Sequence, residues 1–184
     1  MSRLNILVTG ASGYLGSNIL KTLAKNNDYK LTALDIASNP DLLESIHFIK
    51  TDINDIEQLH KAFEGIDLIC HCASLGGTKH GLDYYNENQI RKTNVEGTYN
   101  VLEAAKNLDI EQVLITSTSE TYGTAQYTPI DENHPLVGQS PYSATKISAD
   151  QLAISYYGSF ELPVKIVRPF NTYGPRQSAR AIIP

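Results

Sequence analysis

The chain has 184 residues, 15 lysines and arginines against 20 aspartates and glutamates, and a formal net charge of -5 at pH 7. That length supports one sizeable core, and the mixed charge offers no basic stripe to neutralise a nucleic-acid backbone. No run approaches the roughly 18 apolar residues of a membrane span, and Met1-Ser2-Arg3 leads straight into apolar residues without a signal peptide, so a cytoplasmic protein is expected.

The first predicted strand, Leu4 to Thr9, runs into the turn Gly10-Ala11-Ser12-Gly13-Tyr14-Leu15-Gly16, and a helical period follows from Tyr14 to Lys25. Glycines between strand and helix let the backbone approach a pyrophosphate with no Cβ in the way, and the helix N-terminus presents free N–H groups and a favourable dipole. The usual fingerprint has its first two glycines closer together. A second strand, Leu31 to Leu34, ends at Asp35, nineteen residues after Gly16. A carboxylate there accepts hydrogen bonds from ribose hydroxyls and repels a 2′-phosphate, which favours NAD over NADP. The third strand, Ile46 to Lys50, is followed by Asp52 and Ile53, positioned to accept from an adenine amino group and to pack on its ring. Asp52, Asn54 and Asp55 also compete to cap the next helix, Ile56 to Phe63.

The fourth strand, from Leu68, carries Cys70 and Cys72, which read as buried strand cysteines. His71 and His80 are nearby, but no four-ligand metal set with finger spacing is present. A helix is predicted over Gln89 to Leu108, a strand over Gln112 to Thr116, a helix over Tyr142 to Tyr157 and a last strand over Val164 to Val167. Continuous apolar strands are buried on both faces. Their alternation with helices predicts an α/β fold, a doubly wound parallel sheet of Rossmann type whose ligands sit at the carboxyl ends of the strands. At that end lie Thr118-Ser119-Glu120, and Tyr142 and Lys146 open the following helix on one face. A lysine ammonium there stabilises a phenolate whose ordinary pKa is about 10. A tyrosine so activated takes a hydroxyl proton while a hydride leaves the same carbon, and Thr118 hydrogen-bonds the substrate oxygen. The pair Tyr156-Tyr157 is expected to serve packing rather than chemistry.

Thr-Gly-x-x-Gly-x-x-Gly at Thr9 to Gly16, Asp35, Asp52-Ile53, Thr93-Asn94-Val95 before Gly97-Thr98, Thr118, Tyr142 with Lys146, and Arg168-Pro169-Phe170-Asn171-Thr172-Tyr173-Gly174-Pro175 occur in that order. The set resembles the extended short-chain dehydrogenases/reductases, in particular the NAD-dependent nucleotide-sugar epimerase/dehydratase family. The resemblance implies that Thr118, Tyr142 and Lys146 are catalytic, that Asn94 supports the site, and that Asn171 opens the substrate-binding segment. It also implies that Gly10, Ser12, Gly13, Tyr14, Leu15, Gly16, Asp35, Asp52, Ile53, Asn94, Tyr142 and Lys146 serve NAD. His71-Cys72-Ala73-Ser74 stands where the family usually has His-Leu-Ala-Ala, which puts Cys72, Ala73 and Ser74 beside the nicotinamide. Residues 1–170 then form the NAD-binding domain and 171–184 begin a substrate lobe that reads as cut short. The two helices Gln89 to Leu108 and Tyr142 to Tyr157 correspond to those that family members pack into a homodimer.

Within that family Thr118-Ser119-Glu120 discriminates. A 4-epimerase needs only the hydroxyl and the tyrosine. The 4,6-dehydratases place a carboxylate as here, and the chain looks most like those of legionaminic-acid-type sugar pathways. Glu120 is then the base that takes the C5 proton of a 4-keto, nucleotide-activated hexose, and as an acid it assists loss of the C6 hydroxyl with Ser119 as a hydrogen-bonding aid. UDP-glucuronate decarboxylases share the triplet, and a 4-epimerase is the other enzyme alternative. From another class, a non-catalytic NAD-binding sensor or fragment would bind the cofactor and turn nothing over. The loop Leu75 to Gly81 departs from the dehydratase pattern.

Overall fold

In a computed structural model that describes residues 3–38, 45–76 and 86–174, the apolar stretches form six strands: β1 (Leu4–Thr9), β2 (Tyr29–Asp35), β3 (His47–Lys50), β4 (Leu68–His71), β5 (Gln112–Thr116) and β6 (Val164–Val167). All neighbours pair in parallel, in the order β3-β2-β1-β4-β5-β6. The order reverses beside β1, so a crevice opens at the carboxyl ends of β1 and β4, where doubly wound sheets bind ligands.

Strand alternation divides the core into two layers. Leu7, Leu34, Ile69, Val113 and Ile115 face helices α2 (Ile56–Phe63), α4 (Thr98–Asn107) and α5 (Pro141–Phe160). Ile6, Val8, Leu31, Ala33 and Cys70 face α1 (Tyr14–Leu23). Cys70 and Cys72 are both free thiols. Burial on both faces holds for β1 and most of β2, but not for β6, where Val164 and Ile166 pack inward and Val167 is 45% exposed. In β3, the other outer strand of the described sheet, His47 and Lys50 are exposed. Because β6 packs apolar side chains on one face only, one covered side suffices for it, whereas Phe48 and Ile49 of β3 pack partly against the two opposite layers.

The helix expected over Gln89 to Leu108 is a composite: α3 (Glu87–Arg91), a π-helical turn over Lys92–Gly97, and then α4. Asn86 opens it with a capping box to Gln89. Apolar periodicity misses the wide turn because its cause lies elsewhere: the Asn94 side chain leaves the helix face to bond residues far away in sequence. The tyrosine pair also divides. Tyr156 is buried and donates to Glu103 at 2.7 Å, whereas Tyr157 is 62% exposed. Among the described residues no helix is long and apolar enough to cross a membrane. Of the segment 171–184, only 171–174 is described; His80 and positions 77–81 of the loop after Ser74 also lie outside the described residues.

Candidate active site

The glycine turn is shaped by contacts that no other residue would permit. Gly10 has φ +65°, and a Cβ on it would come within 2.6 Å of the Ala73 nitrogen at the end of β4. A Cβ on Gly16 would lie 2.3 Å from the Gly10 carbonyl oxygen, so α1 approaches β1 as closely as backbone allows. Gly13 differs: it is exposed, and its Cβ would meet only the Gly10 carbonyl, at 3.2 Å. Gly13 is also the N-cap of α1, and no side chain caps that end, whereas Asp55, Asn86 and Ser140 cap α2, α3 and α5. The first N–H groups of α1 therefore point from an open glycine surface toward the crevice, a cradle suited to a pyrophosphate.

Asp35, at the end of β2, braces this turn. One carboxylate oxygen accepts from the Ser12 backbone at 2.9 Å and the other from Ala37 at 3.3 Å, while the Ser12 hydroxyl donates to the Ala37 carbonyl. Tyr14 and Leu15 open α1, half-buried, and the Tyr14 hydroxyl would lie 3.3 Å from a Cβ on Gly174, which brings the segment after Asn171 back to the turn. Asp52 accepts from the backbone and side chain of Asn54, and Asp55 wins the N-cap of α2. Ile53 is 4% exposed and sits against Gly97, on which a Cβ would fall 2.4 Å from its Cδ1. Most of the Ile53 side chain is thus core, and only its edge is available to an adenine.

Behind the crevice runs a directed chain of buried hydrogen bonds. The Thr98 hydroxyl donates to the Asn94 carbonyl at 2.7 Å, so it accepts from His71 Nε2 at 3.0 Å. His71 Nδ1 must then accept from the Thr9 hydroxyl at 2.8 Å. Burial, reinforced by the nearby Lys146 charge, lowers the His71 pKa to about 3, consistent with this neutral tautomer. The Asn94 side chain accepts from Ser74 Oγ and the Leu75 backbone and donates to the Leu75 carbonyl and Thr145 Oγ1, all within 3.1 Å. The Thr145 hydroxyl in turn donates to the Tyr142 carbonyl. Thr9, His71 and Thr98 each fall within a motif read from the sequence, but their bonding to one another leaves no pattern there; only their common end of the sheet reveals it.

Thr118 follows β5 and caps the short 3₁₀ turn Ser119–Tyr122, accepting from the Glu120 nitrogen at 3.3 Å. The Ser119 backbone donates to the Pro169 carbonyl at 3.0 Å, which sets the exposed Asn171 at the same end of the sheet. The Thr118 and Ser74 side chains beside the Tyr142 hydroxyl favour its ionisation, but burial, the larger influence, and the charge of Glu120 oppose it and its pKa rises. Lys146, 3% exposed, donates to the Thr116 carbonyl at 2.7 Å rather than to the phenol. The expected lowering of Tyr142 is thus reversed here, since burial acts on the phenolate directly while the ammonium is turned to β5. Burial brings Lys146 itself down to about 8, against the opposing influence of Asp150 and, only were its thiol ionised, of Cys72. Cys72 lies 3.4 Å from Thr116 Oγ1, and burial pushes its thiol up. Glu120 is raised by partial withdrawal from water. Thr118, Glu120, Tyr142 and Ser74 therefore meet in one place, with Lys146 and Cys72 one layer deeper. Among the described residues no group of three or more His, Cys, Asp and Glu is placed to hold a metal ion.

A six-stranded parallel sheet with a glycine cradle and a tyrosine and lysine beyond it defines a Rossmann-type dinucleotide-binding protein with groups for moving protons. Residues 6–184 match the NAD dependent epimerase/dehydratase family, and the chain belongs to it. It is 35% identical to a dTDP-glucose 4,6-dehydratase of Streptomyces griseus, covering 98% of this chain and 58% of the relative. The solved structure of the Streptomyces venezuelae dTDP-glucose 4,6-dehydratase DesIV, with NAD bound, superposes with a TM-score of 0.89 at 30% identity, covering 98% of this chain and 60% of that one. A UDP-N-acetylglucosamine 4-epimerase from Methanobrevibacter ruminantium superposes with a TM-score of 0.87 at 29% identity, covering 99% and 59%. The chain therefore spans about 60% of the length of the proteins it resembles.

Proposed function

We propose that this chain carries the cofactor site and the reacting groups of an NAD-dependent nucleotide-sugar 4,6-dehydratase. The observation that carries the reading is Glu120: its carboxyl follows Thr118 and Ser119 on one short turn and, although exposed to solvent, acts on Tyr142 strongly enough to raise the phenol. A 4-epimerase has no use for this third acid–base group, although family relatives include both reactions.

Gly10, Ser12 and Gly13 at the α1 N-terminus would hold the pyrophosphate of NAD, Asp35 would accept from the adenosine ribose, and Asp52 and the edge of Ile53 would take the adenine. Cys72, Ala73 and Ser74 line the nicotinamide side, with Asn94 holding Ser74. NAD, when bound, would supply the oxidant for C4 of the sugar and the hydride later needed at C6. Tyr142 takes the C4 hydroxyl proton, its phenolate favoured over distance by the charge of Lys146 one layer deeper, while Thr118 hydrogen-bonds the same oxygen. The resulting 4-ketone acidifies C5. Glu120 removes that proton and delivers it to the departing C6 hydroxyl, which leaves as water with Ser119 as a hydrogen-bonding aid, and the reduction at C6 is completed by a proton to C5, balanced by the one that Tyr142 took from the C4 hydroxyl. Asn171 begins the contacts to the nucleotide-activated hexose.

In the natural protein carrying this sequence, Glu120→Gln should keep NAD affinity and lower dehydration of the sugar by on the order of 10²–10⁴-fold, as loss of an acid–base group does. Product mass and NAD titration read the two effects separately. Full dehydration by the variant would remove Glu120 from the mechanism.

A further inference from the structure

Asp150 lies on α5 one helical turn beyond Lys146, so the two share a face, and it is 0% exposed. One carboxylate oxygen accepts from Arg168 Nε at 2.8 Å, and the other is buried with no hydrogen-bond partner. Arg168, just after β6, is not given wholly to Asp150. It also donates to the Tyr122 hydroxyl at 3.3 Å, and its guanidinium lies 5.3 Å from the centre of the Tyr122 ring. A fully buried carboxylate with one charged hydrogen bond is poorly compensated. Lys146 has the complementary deficit: a buried ammonium whose hydrogen bond goes to the neutral Thr116 carbonyl.

We propose that Asp150 is a positioning residue for Lys146: anchored by Arg168 through one oxygen, it holds the Lys146 ammonium charged and seated against the end of β5. The charged or titratable groups around Lys146 support the assignment. From β4 and the residue after it come His71, which is neutral, and Cys72, a thiol pushed up by burial; from α5 come Tyr142 and Asp150; Glu120 acts on Tyr142 from the 3₁₀ turn; Arg168 stands behind Asp150. Among the described groups facing Lys146, Asp150 is the carboxylate, and it opposes the burial that draws Lys146 down to about 8. A charged Lys146 is what the proposed proton transfer at Tyr142 requires, so the inference rests on that reading for its purpose but not for its test.

The test is the titration midpoint of Lys146, followed by NMR on protein with ¹³C-labelled lysine, without NAD or sugar. The wild type should titrate near 8, and Asp150→Asn should move the midpoint down by about one pH unit or more. Arg168→Gln, which removes the competing cation and leaves the carboxylate to Lys146, should not lower it. Asp150→Glu should restore the wild-type midpoint. An unchanged or raised midpoint in Asp150→Asn would overturn the proposal; if that variant does not fold, a lowered midpoint in Arg168→Gln would do so. A purely structural ion pair would lower the melting temperature of both variants without separating their midpoints. Because no turnover is measured, failure of the dehydratase reading leaves this result standing.

Discussion

His71 is enclosed by Thr9 on one ring nitrogen and Thr98 on the other, and the bond in which Nδ1 accepts from Thr9 does not survive a second ring proton. The Thr9 hydroxyl would lose its acceptor, and an imidazolium would be buried beside Lys146. The folded pKa of about 3 lies below the ordinary 6.5, so below 6.5 the unfolded chain takes up a proton that the folded chain does not. This contribution to stability is therefore present above pH 6.5 and is lost progressively as pH falls toward 3. Denaturant melts between pH 6 and 4 should show the wild type losing up to about 1.4 kcal/mol per pH unit more than His71→Gln. Parallel slopes would place the proton elsewhere. At this scale the sequence discloses residues whose neighbours in the chain announce them: Gly10, Gly13 and Gly16 by spacing, Asp35 by its strand end, Tyr142 and Lys146 by a helical turn. It does not disclose the bonding of His71 or Asp150, whose partners Thr9, Thr98 and Arg168 become adjacent only through the sheet. Nor does helix spacing reveal that burial raises Tyr142 or that Lys146 turns to the Thr116 carbonyl.

Among the elements, those read best from sequence are bounded by local chemistry. α2 runs from Ile56 to Phe63 as predicted because Asp55 caps it, and β5 and β6 match their apolar runs. The π-helical turn was illegible because it is imposed from outside: Asn94 reaches the Leu75 backbone and Thr145, and Gly97 closes onto Ile53. The helices also present apolar groups that their own chain leaves uncovered. Tyr99 on α4 is 44% exposed, and Ile154, Tyr157 and Phe160 on α5 are each close to half exposed or more. A second copy of this chain meeting those faces is the homodimer we propose, since paired helix faces of this kind bury large apolar side chains at a gain of about 1.5–3 kcal/mol each. Sedimentation of the wild type should give a dimer, and Ile154→Glu with Tyr157→Glu should give a monomer of unchanged circular dichroism. A monomeric wild type would contradict the assignment.

For the molecule as a whole, topology does the gathering. Parallel order brings the ends of β1, β2, β4 and β5 to one edge, so Gly10, Asp35, Cys72 and Thr118 become neighbours although they are spread over more than a hundred positions of sequence. Strand–helix alternation was enough to predict this arrangement, which is why the fold and the cofactor end were legible together. The proposed choice of reaction was less so, because the proposal rests on one carboxylate, Glu120. The most direct measurement is the mass of the product when the natural protein carrying this sequence is incubated with NAD and dTDP- or UDP-hexoses. The account predicts a sugar lighter by one water, with no net consumption of NAD. An epimerised sugar of unchanged mass, or release of carbon dioxide from a UDP-uronate, would contradict it.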